Sequence, residues 1–174
     1  MYRASKLLNF HSLKCIYFSI IHSYINYANK VWGSTFQTHL KGIHLKQKHA
    51  VRIIFHKSRL EHSRPLMYSI KALNIYQLNL HQILLFMHKV KYGVIPDTLQ
   101  GNFSLVNHLY RTRYSLNNFK LSQSKAPRFS ITSRGPTLWN NILSENEKNI
   151  ISLNKFKNST KNILLNKENE LIYF

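Results

Sequence analysis

Apolar residues recur at helical spacing along most of the chain, most clearly between His39 and Lys57. There Leu40, Ile43, Gln47, Ala50, Val51 and Ile54 fall on one side of a 3.6-residue period, with Phe55 at the margin. Lys41, Lys48 and Arg52, at spacings of seven and then four, line up beside that stripe. His49 and His56 lie just beyond them, and Lys46 and Lys57 flank the other edge. A helix of this kind packs one face into a core and leaves a row of cations outside. Upstream, Ser5 to about Ser23 reads as a helix with a broad apolar band: Leu8, Cys15 or Ile16, Ser19 and Ile20 beside a Leu13–Tyr17–Ile21–Tyr24 series. That width predicts burial on more than one side. Tyr24 to Tyr27 then leads into Val31-Trp32-Gly33, with Gly33 as a helix stop.

Past Lys57, Ser58 and Ser63-Arg64-Pro65 mark a loop, and Pro65 starts a short helix through Leu73. Asn74 caps a further helix to about Tyr92, carrying Leu80, Ile83, Leu84 and Met87 at helical spacing, and Gly93 and Pro96 close it. Asn102 to Asn118 predicts irregular backbone. Asn117–Ser124 and Arg128–Thr132 alternate weakly and predict a small antiparallel ribbon with Phe129 and Ile131 pointing one way. Gly135-Pro136 opens a helical turn presenting Leu138, Trp139 and Ile142. Ser152 caps a last helix with Leu153, Phe156, Thr160, Ile163 and Leu164 inward and Lys155, Lys157 and Lys161 largely outward. The expected fold is mainly α, a helical bundle with a small β-ribbon in the C-terminal half. Its expected parts are a helical segment over 1–93 and a subdomain over 94–174, or one continuous domain.

Charge changes this picture more than composition does. The 174 residues are 44% hydrophobic, enough for a real core, but 25 Lys and Arg stand against 6 Asp and Glu for a formal net charge of +19. Self-repulsion on that scale opposes compaction unless anions offset it. Nucleic acid is the first partner this predicts, and an anionic membrane surface the second. Cys15 is the single cysteine, which excludes an internal disulfide and a thiolate metal cage and fits an intracellular, reducing setting, nuclear or cytoplasmic. The first residues have no secretory h-region. The most apolar stretch, Cys15 to Ile21, falls far short of the ~20 residues of a membrane span.

No catalytic constellation is visible. Metal-assisted phosphoryl transfer needs clustered carboxylates. Here Asp97 is the one aspartate, placed after Pro96 to start a helical turn, and Glu145 and Glu147 are two apart and do not share a helical face. None of the ten histidines pairs at a spacing of three or four, so the expectation is imidazoles scattered over a basic surface, with no metal and no cofactor. Binding remains. The candidate phosphate contacts are Lys41, Lys48 and Arg52, then Arg111 and Arg113, then Arg128 and Arg134. Trp32, Trp139, Tyr17 and Phe86 are expected in the core and not as stacking platforms.

Several short stretches, in order, carry a resemblance. These are Tyr17-Phe18-Ser19-Ile20-Ile21, Tyr27 to Val31-Trp32-Gly33, and Gln47-Lys48 through Ala50-Val51-Arg52-Ile53-Ile54. Leu73-Asn74-Ile75, Phe86-Met87 to Lys89, Tyr110-Arg111-Thr112-Arg113, Gly135-Pro136 to Leu138-Trp139-Asn140 and Phe156-Lys157 continue the series. Together they resemble the C-terminal part, at the end of the thumb and beyond it, of reverse transcriptases from non-LTR retrotransposons of the jockey type. The resemblance implies an α-helical, basic, non-catalytic appendage that holds template RNA or an RNA/DNA duplex beside upstream fingers and palm. The palm's paired aspartates would precede Met1. Where family members commonly carry Leu-Pro after the Trp-Asn, this chain has Leu143-Ser144. The chain starts inside the family's pattern, which implies a truncated reading frame or a fragment. The alternative expectations are an inactive structural remnant and a basic membrane-surface binder.

Overall fold

In a computed structural model, which describes residues 1–106, 117–121, 127 and 129–166, the first α-helix opens on Asn9. The Asn9 side chain accepts the Ser12 backbone N–H at 3.0 Å and so satisfies a donor that the helix itself leaves open; this is α1, Phe10–Ile16. The helix then widens into a π-helical stretch, Tyr17–His22, before α2, Ser23–Asn26. A π turn holds one residue more than an α turn, so it rotates everything after it. Leu13 and Tyr17 are buried as expected, but the next fully inward position is Ile25, and Tyr24 is turned out. The predicted two-sided burial is therefore wrong: Cys15, Ser19 and Ile20 are exposed, and so is Leu8. Ala28, at φ 49, separates α2 from α3, Asn29–Trp32. Gly33 follows, and its role is close approach, since a Cβ there would lie 2.5–2.8 Å from atoms of Asn29 and Asn79.

The basic helix forms as α4, Gln37–Ile54, and buries Leu40, Gln47, Ala50, Val51 and Ile54. Ile43 lies at the edge of the stripe, 37% exposed. The buried face packs on Leu13 and Tyr17 and on Met67, Ile70 and Ala72, which belong to or directly follow α5, Ser63–Ser69. Gln47 looks like a flaw in the stripe and is its most constrained member. Its Nε2 donates to the Leu73 carbonyl at 3.0 Å and to the Tyr17 hydroxyl at 3.1 Å, while its Oε1 accepts the Ile75 N–H at 3.0 Å. The carboxamide thus pairs with two backbone groups where the chain turns between helices, as a neighbouring strand would.

Three helices end alike. After α4, His56 N–H donates to the Ile53 carbonyl and Lys57 N–H to Arg52; after α5, Lys71 and Ala72 repeat this with Tyr68 and Met67. Gly93 and Val94 do so with Val90 and Lys89 after α6, Ile75–Lys91. This six-to-one closure needs a left-handed residue. Gly93 takes that conformation without strain, but His56 and Lys71 also hold it, at φ 51 and 53.

The chain divides into two compact units, Met1–Asn79 and Leu80–Phe174. The start of α6 belongs to the first and its remainder to the second. Asn74 caps α6 reciprocally with Gln77: each side chain takes the other's backbone N–H at 2.9 Å. Within the second unit Ile83, Leu84 and Met87 are fully buried with Trp139, Phe156 and Leu164. Trp139 lies stacked against Phe156 at 5.7 Å and edge-on to Phe119 at 5.6 Å. After α7, Asp97–Gln100, Leu105 and Phe119 form an isolated antiparallel bridge. The remaining helices are α8, Ile131–Ile142, α9, Glu145–Lys148, and α10, Leu153–Asn166, which buries Phe156, Thr160 and Leu164. Ser144, at the departure from the resembled pattern, opens α9 with a complete capping box to Glu147.

Two more sequence expectations fail in the second unit. Among the described residues no strand forms, and the ribbon is not seen. Part of it, 122–126 and 128, lies outside those residues, while Ile131 and Thr132 are the first turn of α8. The cause is local: Ser130 Oγ accepts the Thr132 N–H and caps the helix. Gly135-Pro136 consequently sits inside α8 instead of opening it. Gly135 lies close against Met87 there: a Cβ would fall 2.5 Å from Met87 Sδ, so any larger residue requires that buried side chain to shift.

Two substitutions measure these constraints. Gln47→Leu keeps the volume but strands the buried Leu73 carbonyl and Ile75 N–H, and should lower unfolding free energy by about 2–4 kcal/mol in urea titration. His56→Gly removes left-handed strain at an exposed position and should raise it by about 0.5–1 kcal/mol.

Candidate nucleic-acid interface

On α4 the cations sit where the sequence put them. Lys41, Lys48 and Arg52 share one flank, seven and four residues apart, with Lys41 exposed and the other two half-buried. Lys46 is exposed on the opposite margin, and His39 and His49 on the outer surface. The side chains of Lys41, Lys46 and Lys57 make no hydrogen bond or ion pair among the described residues. Arg52 is different: its Nε donates to the Glu61 backbone carbonyl at 2.6 Å, holding the 58–62 loop against the helix. It is a loop anchor as well as a surface charge. The whole first unit carries twelve Lys and Arg, and Glu61 is its one acid.

Of the other candidates, Arg134 lies half-buried on α8 in the second unit. Arg111, Arg113 and Arg128 lie outside the described residues. Within the first unit the structure aligns Lys41, Lys48 and Arg52 on one helix flank. Trp139 and Tyr17 are core residues as expected, whereas Trp32 and Phe86 are half-buried, Trp32 donating its indole N–H to the Tyr27 carbonyl at 2.7 Å.

Histidines were expected on the surface, and three are built inward instead. His81 and His88, two turns apart on α6, donate Nε2–H to the carbonyls of Lys157 and Ile150 at 3.1 and 2.8 Å. His88 also lies 4.4 Å from the Phe156 ring. On α4, His44 packs 5.0 Å from the Tyr76 ring with Nδ1 buried and unpartnered. Burial first, and the Lys48 ammonium second, push its pKa from 6.5 down to about 4. Burial likewise lowers His81 and His88, against a raising contribution from their carbonyl partners.

The second unit also holds a polar network that the sequence did not announce. Lys148, 3% exposed, donates to Asn118 Oδ1 at 2.8 Å and to Glu145 Oε1 at 3.0 Å. Lys91 donates to Asn117 Oδ1 at 2.9 Å and to the Lys148 carbonyl at 2.6 Å. Burial lowers its pKa, partly countered by Glu145. The one advance signal was Glu145 and Lys148 at helical spacing i, i+3. Among the described residues no three His, Cys, Asp or Glu side chains gather as metal ligands, and no helix is long and apolar enough to cross a membrane. Compared with protein-family models, curated proteins and solved structures, the chain finds no match.

The histidines set a pH dependence. Each folded pKa is depressed, so the unfolded chain binds more protons in acid. The stability contributed by neutral imidazole is complete above pH 6.5 and is lost as pH falls toward 4. The thermal midpoint should therefore drop across that window, and His44→Gln should shrink the drop. A midpoint indifferent to pH between 7 and 4 would contradict this.

Proposed function

We propose that this chain is a non-catalytic, basic helical module that binds nucleic acid through its phosphate backbone, as the C-terminal part of a non-LTR retrotransposon reverse transcriptase of the jockey type would. The observation that carries the reading is the Lys41–Lys48–Arg52 flank of α4, in a unit whose only acid is Glu61. With no carboxylate to close on, these cations attract an external polyanion, and phosphates spaced along a strand suit a row spaced along a helix. The acids that are described support a non-catalytic reading. Glu145 is engaged by Lys148 and Asn117, Glu147 caps α9, and Asp97 opens α7. Polymerase activity in this reading belongs to upstream palm and fingers in a longer product.

A second reading, an inactive remnant, draws on large side chains left in solvent, Leu7 at 89% and Leu60 at 92% exposed. A soluble monomer with one cooperative thermal transition argues against it.

Fluorescence anisotropy with a labelled RNA or DNA oligonucleotide over 50–200 mM salt tests the main reading. Binding should weaken by about 10³-fold if six or more phosphates are engaged. Lys41→Gln with Lys48→Gln, which spares the Arg52 loop anchor, should lower the slope of log K against log salt by roughly two and weaken all sequences alike. An unchanged slope removes α4 from the contact surface.

A further inference from the structure

Tyr24, in α2, and Tyr27, the residue that ends it, stand 84% and 80% exposed, with Ile20 at 62% and Val31 at 73% before and after them in the chain. Neither phenol has a hydrogen-bond or ring partner among the described residues. The exposure is built into the backbone. The π turn at Tyr17–His22 inserts the extra residue that sends Ile25 inward and Tyr24 outward. Below Tyr27, Ala28 is held at φ 49 and the Trp32 indole N–H fixes the Tyr27 carbonyl at 2.7 Å. The π turn before α2 and the left-handed alanine after Tyr27 thus bracket the two exposed tyrosines.

What covers such a ledge is constrained by charge. A second copy would bring together two units of twelve cations and one acid each, and their repulsion opposes the contact. A polyanion is attracted, and nucleic acid is the polyanion that also brings flat apolar rings. We propose that Tyr24 and Tyr27 are a stacking ledge for unpaired bases, so that the strand this unit takes is single-stranded RNA or DNA and not duplex. Bases within a duplex are already stacked and offer the ledge only their edges, whereas every unpaired base has a free face. This rests on the nucleic-acid reading and deepens it by assigning the substrate class.

The experiment compares three full-length proteins, the wild type, Tyr24→Ala with Tyr27→Ala, and Tyr24→Phe with Tyr27→Phe. Each is titrated against a 20-mer of oligouridylate, a 20-base-pair duplex, and heparin, a polyanion without bases. Both positions are exposed, and circular dichroism checks that the variants keep their helices. The alanine pair should lose at least about 30-fold in oligouridylate affinity and hold heparin within about twofold, while the phenylalanine pair stays near wild type. Duplex binding should be weaker than oligouridylate binding in the wild type and unmoved by the alanine pair. Unchanged oligouridylate affinity in the alanine pair, or equal loss on heparin, overturns the ledge and leaves backbone binding standing. Wild type that binds none of the three overturns both readings. A wild-type dimer in sedimentation, or binding to phosphatidylserine vesicles, that the alanine pair abolishes while oligouridylate affinity holds assigns the ledge to that other occupant and overturns the proposal.

Discussion

Helices close their own hydrogen bonds, but the segments between them do not, and the scarcity of strands makes that the constraint this fold has to meet. Gln47 meets it in the first unit by pairing with both the Leu73 carbonyl and the Ile75 N–H. Asn140 does the same in the second, taking the Phe119 N–H on Oδ1 at 3.1 Å and giving Nδ2–H to the Phe119 carbonyl at 2.9 Å. A carboxamide has the donor and acceptor of a peptide group on one rigid plane, so it substitutes for a strand at a single residue. Around these two points Asn74, Asn79, Asn117 and Asn118 satisfy caps, carbonyls and a buried lysine. A lost partner at such a place leaves a buried polar group bare, so each of these side chains matters out of proportion to the apolar area it covers.

The interior of the second unit follows the same rule with charge added. Burying Lys148 is costly unless its donors are met, and Asn118 and Glu145 meet two of them. Glu145 spreads its other oxygen to Asn117, whose amide oxygen in turn takes Lys91. The Trp139 indole N–H also ends on Asn117, at the backbone carbonyl. One short segment, Asn117–Phe119, is therefore held by α6, α8 and α9 together. Removing any single partner from such a linked set affects the remaining bonds as well.

These features explain what could be read in advance. The apolar stripe of α4, the Asn74 cap, the Gly93 closure and the Phe156–Thr160–Leu164 face of α10 depend on residues close in sequence, and periodicity and capping chemistry express them directly, whereas Leu153 at the start of α10 was expected inward and is exposed. The N-terminal band was misread because nothing in the residues announces a π turn, and one extra residue moves the inward position from Tyr24 to Ile25. The ribbon was misread because a weak alternation at Phe129–Ile131 competes with a strong cap at Ser130, and the cap wins. The histidines were misread because His81 and His88 bond carbonyls more than sixty residues away, which spacing cannot reveal. On the candidate interface, alignment of Lys41, Lys48 and Arg52 was legible; the diversion of Arg52 to the Glu61 carbonyl was not, since it requires the loop to fold back.

Charge divides along the same line as legibility. Where a cation lies inside the second unit, the fold supplies partners for it, a carboxylate or an amide at under 3.1 Å. On α4 the supply stops. Glu61, the one acid of the first unit, offers Arg52 its backbone carbonyl, and Lys41 and Lys46, with Lys57 just past the helix, find nothing among the described residues. Packing does not require these lysines, because the buried face of α4 is complete without them. They raise the self-repulsion of the folded unit and return nothing to it. In the proposed reading an anion bound from outside neutralises this surface, so that the charge which opposes folding in isolation would favour the bound state.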